Sequence, residues 1–264
     1  MRPLAEFPLA PRNRIRGVLF DIDDTLTTDG RLTAAAYAAM EKLHGARLLV
    51  IPITGRPAGW CDHIARMWPV DAVVGENGAF YFRYDPAARK MVRRYASGSA
   101  QRAAGRERLA AIRDRILQEV PGCAVAADQN YREADLAIDY CEDVPRLPPE
   151  AVAKIVALMR HAGLTAKVSS IHVNGWFGGY DKLTMTKTVM RECFGIDLDA
   201  RRDEFAFAGD SPNDAPMFAF FPHAVGVANI RDFGGQLAAN PAYVTQAASG
   251  AGFCELVEFL LAAR

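Results

Sequence analysis

Two aspartates that follow an apolar run are the residues of this chain best suited to chemistry. Val18, Leu19 and Phe20 lead directly into Asp21 and Asp23. The apolar run predicts a buried parallel strand, and open α/β sheets bind their ligands at the carboxyl ends of such strands. Two neighbouring carboxylates repel each other unless a positive charge lies between them, so the pair predicts a bound divalent cation. An ionised aspartate beside such a cation can also attack phosphorus.

Two further apolar runs end in polar residues of complementary type. Residues 48–53 lead into Thr54, and residues 205–208 lead through Gly209 into Asp210 and Asp214. A hydroxyl and two more carboxylates therefore follow strands that we expect to be parallel. If the three strands are neighbours in one sheet, their carboxyl ends meet at a single pocket.

Five motifs occur in an order that resembles a known superfamily. They are DIDDT at 21–25, ITGR at 53–56, VVGENGA at 73–79, YDKLTMTK at 180–187 and GDSPND at 209–214. Together they span nearly the whole chain. At these residues the chain resembles the haloacid dehalogenase superfamily, and within it the Cof-like and sucrose-phosphatase-like phosphatases that carry a large inserted cap.

The resemblance implies an α/β fold with a Rossmann-like parallel-sheet core and an inserted α+β cap domain. We expect residues 1–80 and 178–264 to form the catalytic core and residues 81–177 to form the cap, which would determine substrate specificity. The resemblance also implies that Asp21 is the nucleophile, which forms an aspartyl phosphate. Asp23 would protonate the leaving alcohol and later deprotonate the hydrolytic water.

Mg²⁺ is the expected cofactor, because it prefers oxygen ligands and keeps several of its waters. The resemblance implies that Asp21, the backbone carbonyl of Asp23 and Asp210 bind the metal. Asp214 would act behind these ligands or through a water molecule.

Phosphoryl transfer is catalysed largely by positioning and by electrostatic stabilisation, so the transferred group needs hydrogen-bond donors. Thr54 and the amide of Gly55 match the hydroxyl motif of the family. Asn213 is expected either to contact phosphate or to form an Asx turn or helix cap. Gly75, Asn77 and Gly78 are expected to form a hinge and the floor of the pocket where the core meets the cap.

The required cation is a lysine, for which the chain offers two candidates. Lys182 precedes a predicted helix, as the family lysine does, but Leu183 stands where glycine is common. We expect Lys182 to be catalytic and to bind phosphate, and Lys187 to be a solvated residue on the helix face. Lys187 remains the alternative.

The composition fits a soluble enzyme that acts on a small metabolite. Among 264 residues, acidic and basic side chains number 31 each, which predicts neither a nucleic-acid-binding surface nor a polyanionic partner. No segment is long and apolar enough to predict a membrane span, so we expect a cytoplasmic protein. The five cysteines are scattered without a CxxC pair, and we expect reduced thiols.

Periodicity and end signals predict the elements that position these residues. Helices are expected at 33–45, 57–67, 101–120, 149–162 and 252–262. Within the predicted cap, strands are expected at 79–84, 91–95, 134–141 and 166–174. The core strands are expected at 48–53, 205–208, 224–227 and 243–245, with a short strand at 73–74.

The predicted strand 166–174 offers candidate specificity residues. Its alternation places Ser170, His172 and Asn174 on one face, from which they would bind hydroxyl groups of a substrate. Glu133, Asp135 and Asp139 form an acidic row on another predicted cap strand and are a second candidate set. Alternatively, both polar faces simply meet solvent.

The sequence therefore predicts a Mg²⁺-dependent phosphomonoester hydrolase whose substrate is a phosphosugar or a similar small phosphorylated metabolite. A phosphosugar mutase of the phosphomannomutase type is an alternative, because it needs no additional core residue. A phosphoaspartate receiver-like signalling module also clusters Asp, Thr and Lys around Mg²⁺. The acid/base position Asp23 and the large cap argue against that module.

Overall fold

The computed structural model describes residues 1–264. The first part of the chain contains four strands, β1 (Arg2–Pro3), β2 (Gly17–Phe20), β3 (Leu49–Pro52) and β4 (Val73–Gly75). Its helices are α1 (Leu9–Arg12), α2 (Ala34–Gly45) and α3 (Ala58–Met67).

The middle of the chain forms a hairpin and then a mixture of helices and strands. The hairpin strands are β5 (Phe80–Asp85) and β6 (Lys90–Tyr95). After them come α4 (Ser99–Glu119), β7 (Ala124–Val125), β8 (Asp135–Asp139), α5 (Pro149–His161), β9 (Thr165–Val168) and β10 (His172–Trp176).

The last part of the chain alternates helices and strands again. It comprises α6 (Lys182–Phe194), α7 (Leu198–Arg201), β11 (Phe205–Gly209), α8 (Ala215–Phe220), β12 (His223–Gly226), β13 (Tyr243–Val244) and α9 (Ser249–Leu261). None of the helices combines the length and the hydrophobicity needed to cross a bilayer.

A six-stranded parallel sheet forms the core, in the order β1-β13-β12-β11-β2-β3. Strand β2 lies between β11 and β3 and pairs with both of them. The strands that precede Asp21, Thr54 and Asp210 are therefore neighbours, which is the condition for their carboxyl ends to meet at one pocket.

Helices cover both faces of this sheet. Phe20 packs with residues of α2 and α9, whereas the preceding Leu19 packs with residues of α6 and α8. Because successive strand residues point to opposite faces, a run that is apolar throughout indicates a strand buried on both sides. The predicted parallel α/β core is confirmed.

The hairpin β5–β6 extends β4 into a three-stranded antiparallel sheet. The rings of Phe80 and Phe82 stack with centroids 4.4 Å apart and join a hydrophobic cluster with Cys61 and Ile64 of α3. The hairpin therefore packs against a helix of the core.

A second sheet lies between residues 124 and 176. It is antiparallel, in the order β7-β8-β10-β9, and α4 and α5 bury a separate hydrophobic cluster against it that includes Ile116, Ile138 and Met159. The expected inserted α+β unit is present, and the chain passes between it and the parallel core at residues 96–98 and 177–181.

The predicted single strand at 166–174 is wrong, because a tight turn divides it into β9 and β10. The backbone N–H of Ser169 donates to the carbonyl of His172 (2.9 Å), and the hydroxyl of Ser169 accepts from the backbone N–H of His172 (3.0 Å). A serine that bonds to nearby backbone offers the chain an alternative to a continuous strand. Ser170 lies in this turn, so it does not share a strand face with His172 and Asn174.

Candidate active site

The polar residues that follow β2, β3 and β11 converge at one edge of the parallel sheet. The backbone N–H of Asp21 donates to the carbonyl of Ala208 (2.9 Å), which ties the first strand end to the third. Thr54 follows β3, and its backbone N–H donates to Val74 of β4 (2.9 Å). The sheet itself therefore holds these strand ends side by side.

Three buried aspartates form an acidic cluster at this edge. Oxygen atoms of Asp21, Asp210 and Asp214 all lie within 4.8 Å of one another. Oδ1 of Asp210 accepts a hydrogen bond from the hydroxyl of Thr25 (3.2 Å), but its buried Oδ2 has no hydrogen-bond partner. Burial raises the pKa of Asp210 well above its usual value, and the charges of Asp21 and Asp214 raise it further. An unpaired carboxylate oxygen in such a cluster fits a hard divalent cation such as Mg²⁺.

Lys182 lies between two of these carboxylates. Its Nζ is 2.5 Å from Oδ1 of Asp21 and 2.7 Å from Oδ1 of Asp214. Burial alone would lower the pKa of Lys182, but the two negative charges raise it above its usual value. Burial raises the pKa of Asp21 to about 8, although the charge of Lys182 acts in the opposite direction. Lys182 is therefore a buried ammonium in direct contact with the expected nucleophile.

The start of α6 places Lys182 in this position. Lys182 is its first residue, and the carboxylate of Asp181 caps the helix by accepting from the backbone N–H of Thr184 (2.7 Å). Gly78 lies against this cap with a φ of +106°, and a Cβ at this residue would lie 2.0 Å from the carbonyl oxygen of Asp181. Only glycine allows so close an approach in this conformation. Gly78 of the 73–79 motif thus helps to position Lys182.

Lys187 lies away from the cluster. Its Nζ pairs with Oδ1 of Asp199 (2.6 Å), and 35% of its side chain is exposed. The structure therefore brings Lys182, and not Lys187, to Asp21.

Asp214 is held by hydrogen bonds on both of its oxygens. Oδ1 accepts from Lys182, and Oδ2 accepts from the backbone N–H groups of Asp210 (3.2 Å) and Ser211 (3.4 Å). These contacts suit a residue that orients the loop 210–214 and the lysine.

Asp23 contacts a buried arginine instead of the acidic cluster. Nε of Arg56 lies 2.9 and 3.0 Å from the two carboxylate oxygens of Asp23. The same guanidinium also reaches Glu142 (2.6 Å) and Asp128 (3.4 Å), and it stacks 4.4 Å from the ring centroid of Trp60. Arg56 is 4% exposed, so a buried guanidinium connects the expected acid/base residue to Asp128 and Glu142 of the inserted unit.

The same edge of the sheet carries hydrogen-bond donors for an anionic group. The hydroxyl oxygen of buried Thr54 accepts from the backbone N–H of Arg56 (3.0 Å), which leaves its proton available. Asn213 donates to Oδ1 of Asn77 (3.4 Å) and accepts from the hydroxyl of Ser211 (2.8 Å).

Asn77 also belongs to the site, although the sequence predicted it only as part of a hinge and of the pocket floor. Its buried amide nitrogen has no acceptor, and a Cβ at Gly55 would lie 3.1 Å from that nitrogen. Glu76 and Asn77 have φ values of 43° and 53°, a left-handed conformation that asparagine tolerates better than most residues. The Asn-Gly pair of the motif was the available signal.

The candidate specificity residues occupy different positions. His172 and Asn174 line a space of about 10 Å³ over Asp21, together with Ser169 and Ile171 of the turn. Ser170 does not line it. Burial raises the pKa of Asp24, and a hydrogen bond with Ser170 opposes that shift.

Both specificity side chains in that space lie close to carboxylates. The amide of Asn174 donates to Oδ2 of Asp135 (2.9 Å). Nε2 of His172 lies 2.8 Å from Oε2 of Glu142, but the two atoms are not aligned for a hydrogen bond.

Of the predicted acidic row, Asp135 and Asp139 begin and end β8 and make internal contacts, whereas Glu133 precedes the strand. Asp135 binds Arg132 (3.0 Å), and Asp139 accepts backbone N–H groups from residues 141–143. Glu133 points outward and pairs with Arg106 (3.1 Å). Neither Asp135 nor Asp139 therefore simply meets solvent.

Arg132 and Glu76 join the inserted unit to the core, and neither role was predicted from the sequence. Arg132 is fully buried, binds Asp128 and Asp135, and donates to the carbonyl of Gly55 (2.9 Å). Glu76 accepts from the backbone N–H groups of Ala58 in the core (3.0 Å) and of residues 133 and 134 in the insert (2.9 and 2.7 Å). Their partners are distant in sequence, so no local pattern could have revealed them.

No protein-family model matches the sequence, and a comparison with curated proteins finds no similar sequence. Solved structures share the fold. A protein of Thermoplasma acidophilum is 18% identical with a TM-score of 0.69, the match covering 94% of this chain and 98% of that one. A putative HAD/COF-like hydrolase from Plasmodium vivax is 15% identical with a TM-score of 0.68, over 95% and 97% of the two chains.

The sucrose-phosphatase of Synechocystis sp. PCC6803, solved with sucrose and phosphate, is also similar. It is 15% identical with a TM-score of 0.63, and the match covers 93% of this chain and 98% of that one. The chain therefore has the fold of the haloacid dehalogenase-type hydrolases with an inserted α/β unit, as its motifs predicted.

Proposed function

We propose that the protein is a Mg²⁺-dependent phosphomonoester hydrolase that acts through an aspartyl phosphate, on a phosphosugar or a similar small phosphorylated metabolite. The observation that carries the proposal is the position of Asp21. Its Oδ1 lies 2.5 Å from Nζ of Lys182, and its carboxylate lies within 4.8 Å of the buried carboxylate of Asp210. A nucleophilic carboxylate, a fixed cation and a site for a metal thus meet at one point.

Asp21, Asp210 and the backbone carbonyl of Asp23 are the proposed ligands of the metal, with Asp214 orienting the loop behind them. The unpaired buried Oδ2 of Asp210 supports this assignment. Bound Mg²⁺ would neutralise the carboxylates and stabilise negative charge on the phosphoryl oxygens.

In the first step, a carboxylate oxygen of Asp21 attacks phosphorus, and the bond to the leaving oxygen breaks. The electron pair stays with that oxygen, which takes a proton from Asp23. In the second step, water attacks the phosphorus of the aspartyl phosphate and gives its proton to Asp23. Inorganic phosphate leaves, and Asp21 is restored.

Four groups would stabilise charge on the transferred phosphoryl oxygens. They are the ammonium of Lys182, the hydroxyl of Thr54, the amide N–H of Gly55 and the side chain of Asn213. Preorganised donors in a buried site contribute strongly to such catalysis, because they need no reorganisation during the reaction.

The inserted unit that begins after residues 96–98 is the proposed specificity cap. The division expected from the sequence, with residues 1–80 and 178–264 as the catalytic core and 81–177 as the cap, differs from this only at the β5–β6 hairpin, which packs against α3 of the core. His172 and Asn174 would contact the substrate, because they line the space above Asp21. Ser170 would act indirectly through Asp24.

The test is release of inorganic phosphate from a panel of phosphorylated metabolites with Mg²⁺ present, in the parent protein and in Asp21→Asn. We expect the variant to lose turnover while its circular dichroism and melting stay those of a folded protein. Asp114→Asn, at an exposed position on α4, is the matched control. Asp21→Asn activity within about tenfold of the parent, about 1.4 kcal/mol of barrier, would exclude Asp21 as nucleophile. Conversion of a sugar 1-phosphate to its 6-phosphate would indicate a mutase.

A further inference from the structure

A cavity of about 330 Å³ lies beside Asp23. It is formed by the chain after β2 and by helix α3. Buried Ile22 and Ile64 form its floor, and Trp60, Trp68 and Leu32 form its walls. A cavity of this size and composition is typical of a site for a small ligand.

Asp23 lines this cavity and also lines the space above Asp21. The space above Asp21 measures only about 10 Å³. The alcohol that Asp23 protonates in the proposed reaction must begin next to Asp23, and the cavity is where the structure has room for the rest of it.

The cavity lining excludes an anionic group and disfavours a sugar. No lysine or arginine lines it. Its polar side chains are Asp23, Thr27 and His63. Asp23 is bound by Arg56, and Thr27 already donates to the carbonyl of Ile22 (3.2 Å) and accepts from the backbone N–H of Asp24 (3.1 Å). A sugar would therefore leave most of its hydroxyl groups without partners, which costs free energy.

Trp60 connects the cavity wall to the acid/base residue. Its ring lies 4.4 Å from the guanidinium of Arg56, which holds both carboxylate oxygens of Asp23. An aromatic group in the cavity could pack against this ring.

We propose that this cavity is the subsite for the leaving group, and that the leaving group is an aryl or other apolar alcohol. The inference rests on the proposed phosphatase function but revises its substrate, because an apolar phosphomonoester replaces the phosphosugar. In this arrangement the cavity holds the leaving group, and the space lined by His172 and Asn174 holds the phosphoryl group.

The experiment compares kcat/KM for 2-naphthyl phosphate, methyl phosphate and glucose 6-phosphate, and measures binding of neutral 2-naphthol by calorimetry without Mg²⁺. We expect the parent protein to prefer 2-naphthyl phosphate over both other esters by at least tenfold and to bind 2-naphthol. Leu32→Arg should fill the cavity, reduce kcat/KM for 2-naphthyl phosphate at least tenfold, leave methyl phosphate within threefold and abolish binding of 2-naphthol.

Two further variants test whether the effect is specific to the cavity. Leu117→Arg places the same change at an exposed position of α4 and should leave kcat/KM for 2-naphthyl phosphate and for methyl phosphate unchanged. His63→Trp, on the exposed side of α3 at the cavity, should show the selective loss even if Leu32→Arg fails to fold.

The two proposals fail in different ways. If the esters are hydrolysed but 2-naphthol does not bind, or Leu32→Arg and His63→Trp lower all substrates equally, the subsite is overturned while the phosphatase function stands. A preference for glucose 6-phosphate would also overturn it. If 2-naphthol binds and no ester is hydrolysed, the phosphatase function fails, and the assignment to a leaving group fails with it.

Discussion

The ammonium of Lys182 lies 2.5 Å from Oδ1 of Asp21, although 161 positions separate the two residues in the sequence. The contact is buried, and Lys182 also reaches Asp214 at 2.7 Å. A positive charge held at the nucleophile can stabilise the negative charge that develops on the transferred group, without reorganisation during the reaction.

The two lysines of α6 should therefore differ sharply in their effect on catalysis. We expect Lys182→Ala to lower kcat by at least a hundredfold, because it removes the cation at Asp21. Lys187→Ala should change kcat less than threefold, since Lys187 pairs with Asp199 at the surface. Steady-state phosphate release measures both. The reverse ranking would move the catalytic assignment to Lys187.

Chelation should stop catalysis, and Mg²⁺ should restore it. Ca²⁺ should inhibit, because its looser coordination fits the in-line geometry poorly. Mg²⁺ should also raise the melting temperature, because binding to the folded state alone stabilises it. In Asp210→Asn the Mg²⁺-dependent rise in melting temperature should be reduced, which calorimetry can follow without any substrate. Full activity in excess chelator would contradict the metal site.

Gly78→Ala should damage both stability and turnover. The new Cβ would lie 2.0 Å from the carbonyl oxygen of Asp181, in a backbone conformation that alanine rarely adopts. We expect a loss of at least about 1 kcal/mol in the free energy of unfolding, together with a lower kcat because Lys182 begins the displaced helix. Gly45→Ala is the control, since Gly45 has open space around it. Equal behaviour of the two variants would show that the contact at Gly78 is unimportant.

The contribution of Glu142 to stability should depend on pH. Burial alone would raise the pKa of Glu142, but its contacts with His172 and Arg56 lower it to about 2, from an ordinary value of 4.5. A carboxyl group whose pKa is lowered on folding stabilises the protein above its unfolded pKa, and this stabilisation is lost as the pH falls through its folded pKa.

Urea unfolding of the parent and of Glu142→Gln checks this expectation. The difference in the free energy of unfolding should be about 1 kcal/mol above pH 5, because solvent screens the half-buried Glu142, and should shrink as the pH falls from 4.5 towards 2. Glu150→Gln, on an exposed face of α5, should show no such trend. A difference that stays constant with pH would contradict the assigned cause.

Local sequence patterns predicted the parallel core well, because a strand buried on both faces must be apolar throughout. For the same reason, the polar residues that follow such strands stand out from the apolar runs in the sequence and can be recognised as motifs. Asp21 and Asp210 were therefore predicted to share a site, the family resemblance added Lys182, and the structure brings the three together.

The contacts of the inserted unit could not be predicted in this way. The period-2 alternation of residues 168–174 is equally compatible with one strand and with a tight hairpin, and only the backbone hydrogen bonds of Ser169 decide between them. Arg132 and Glu142 read as ordinary surface charges, because their partners Gly55 and Arg56 lie 77 and 86 positions away.

The buried contacts of Glu76 and Arg132 also limit how this chain can be recombined with its structural relatives. A foreign insert grafted between residues 96 and 178 must place two backbone N–H groups at the carboxylate of Glu76 and a donor at the carbonyl of Gly55, or leave these buried groups unpaired. Buried polar groups left unpaired are costly. An insert should therefore be exchanged together with the core residues 55, 56 and 76 that contact it. Chimaeras in which only the insert between the two linkers is replaced should be unstable.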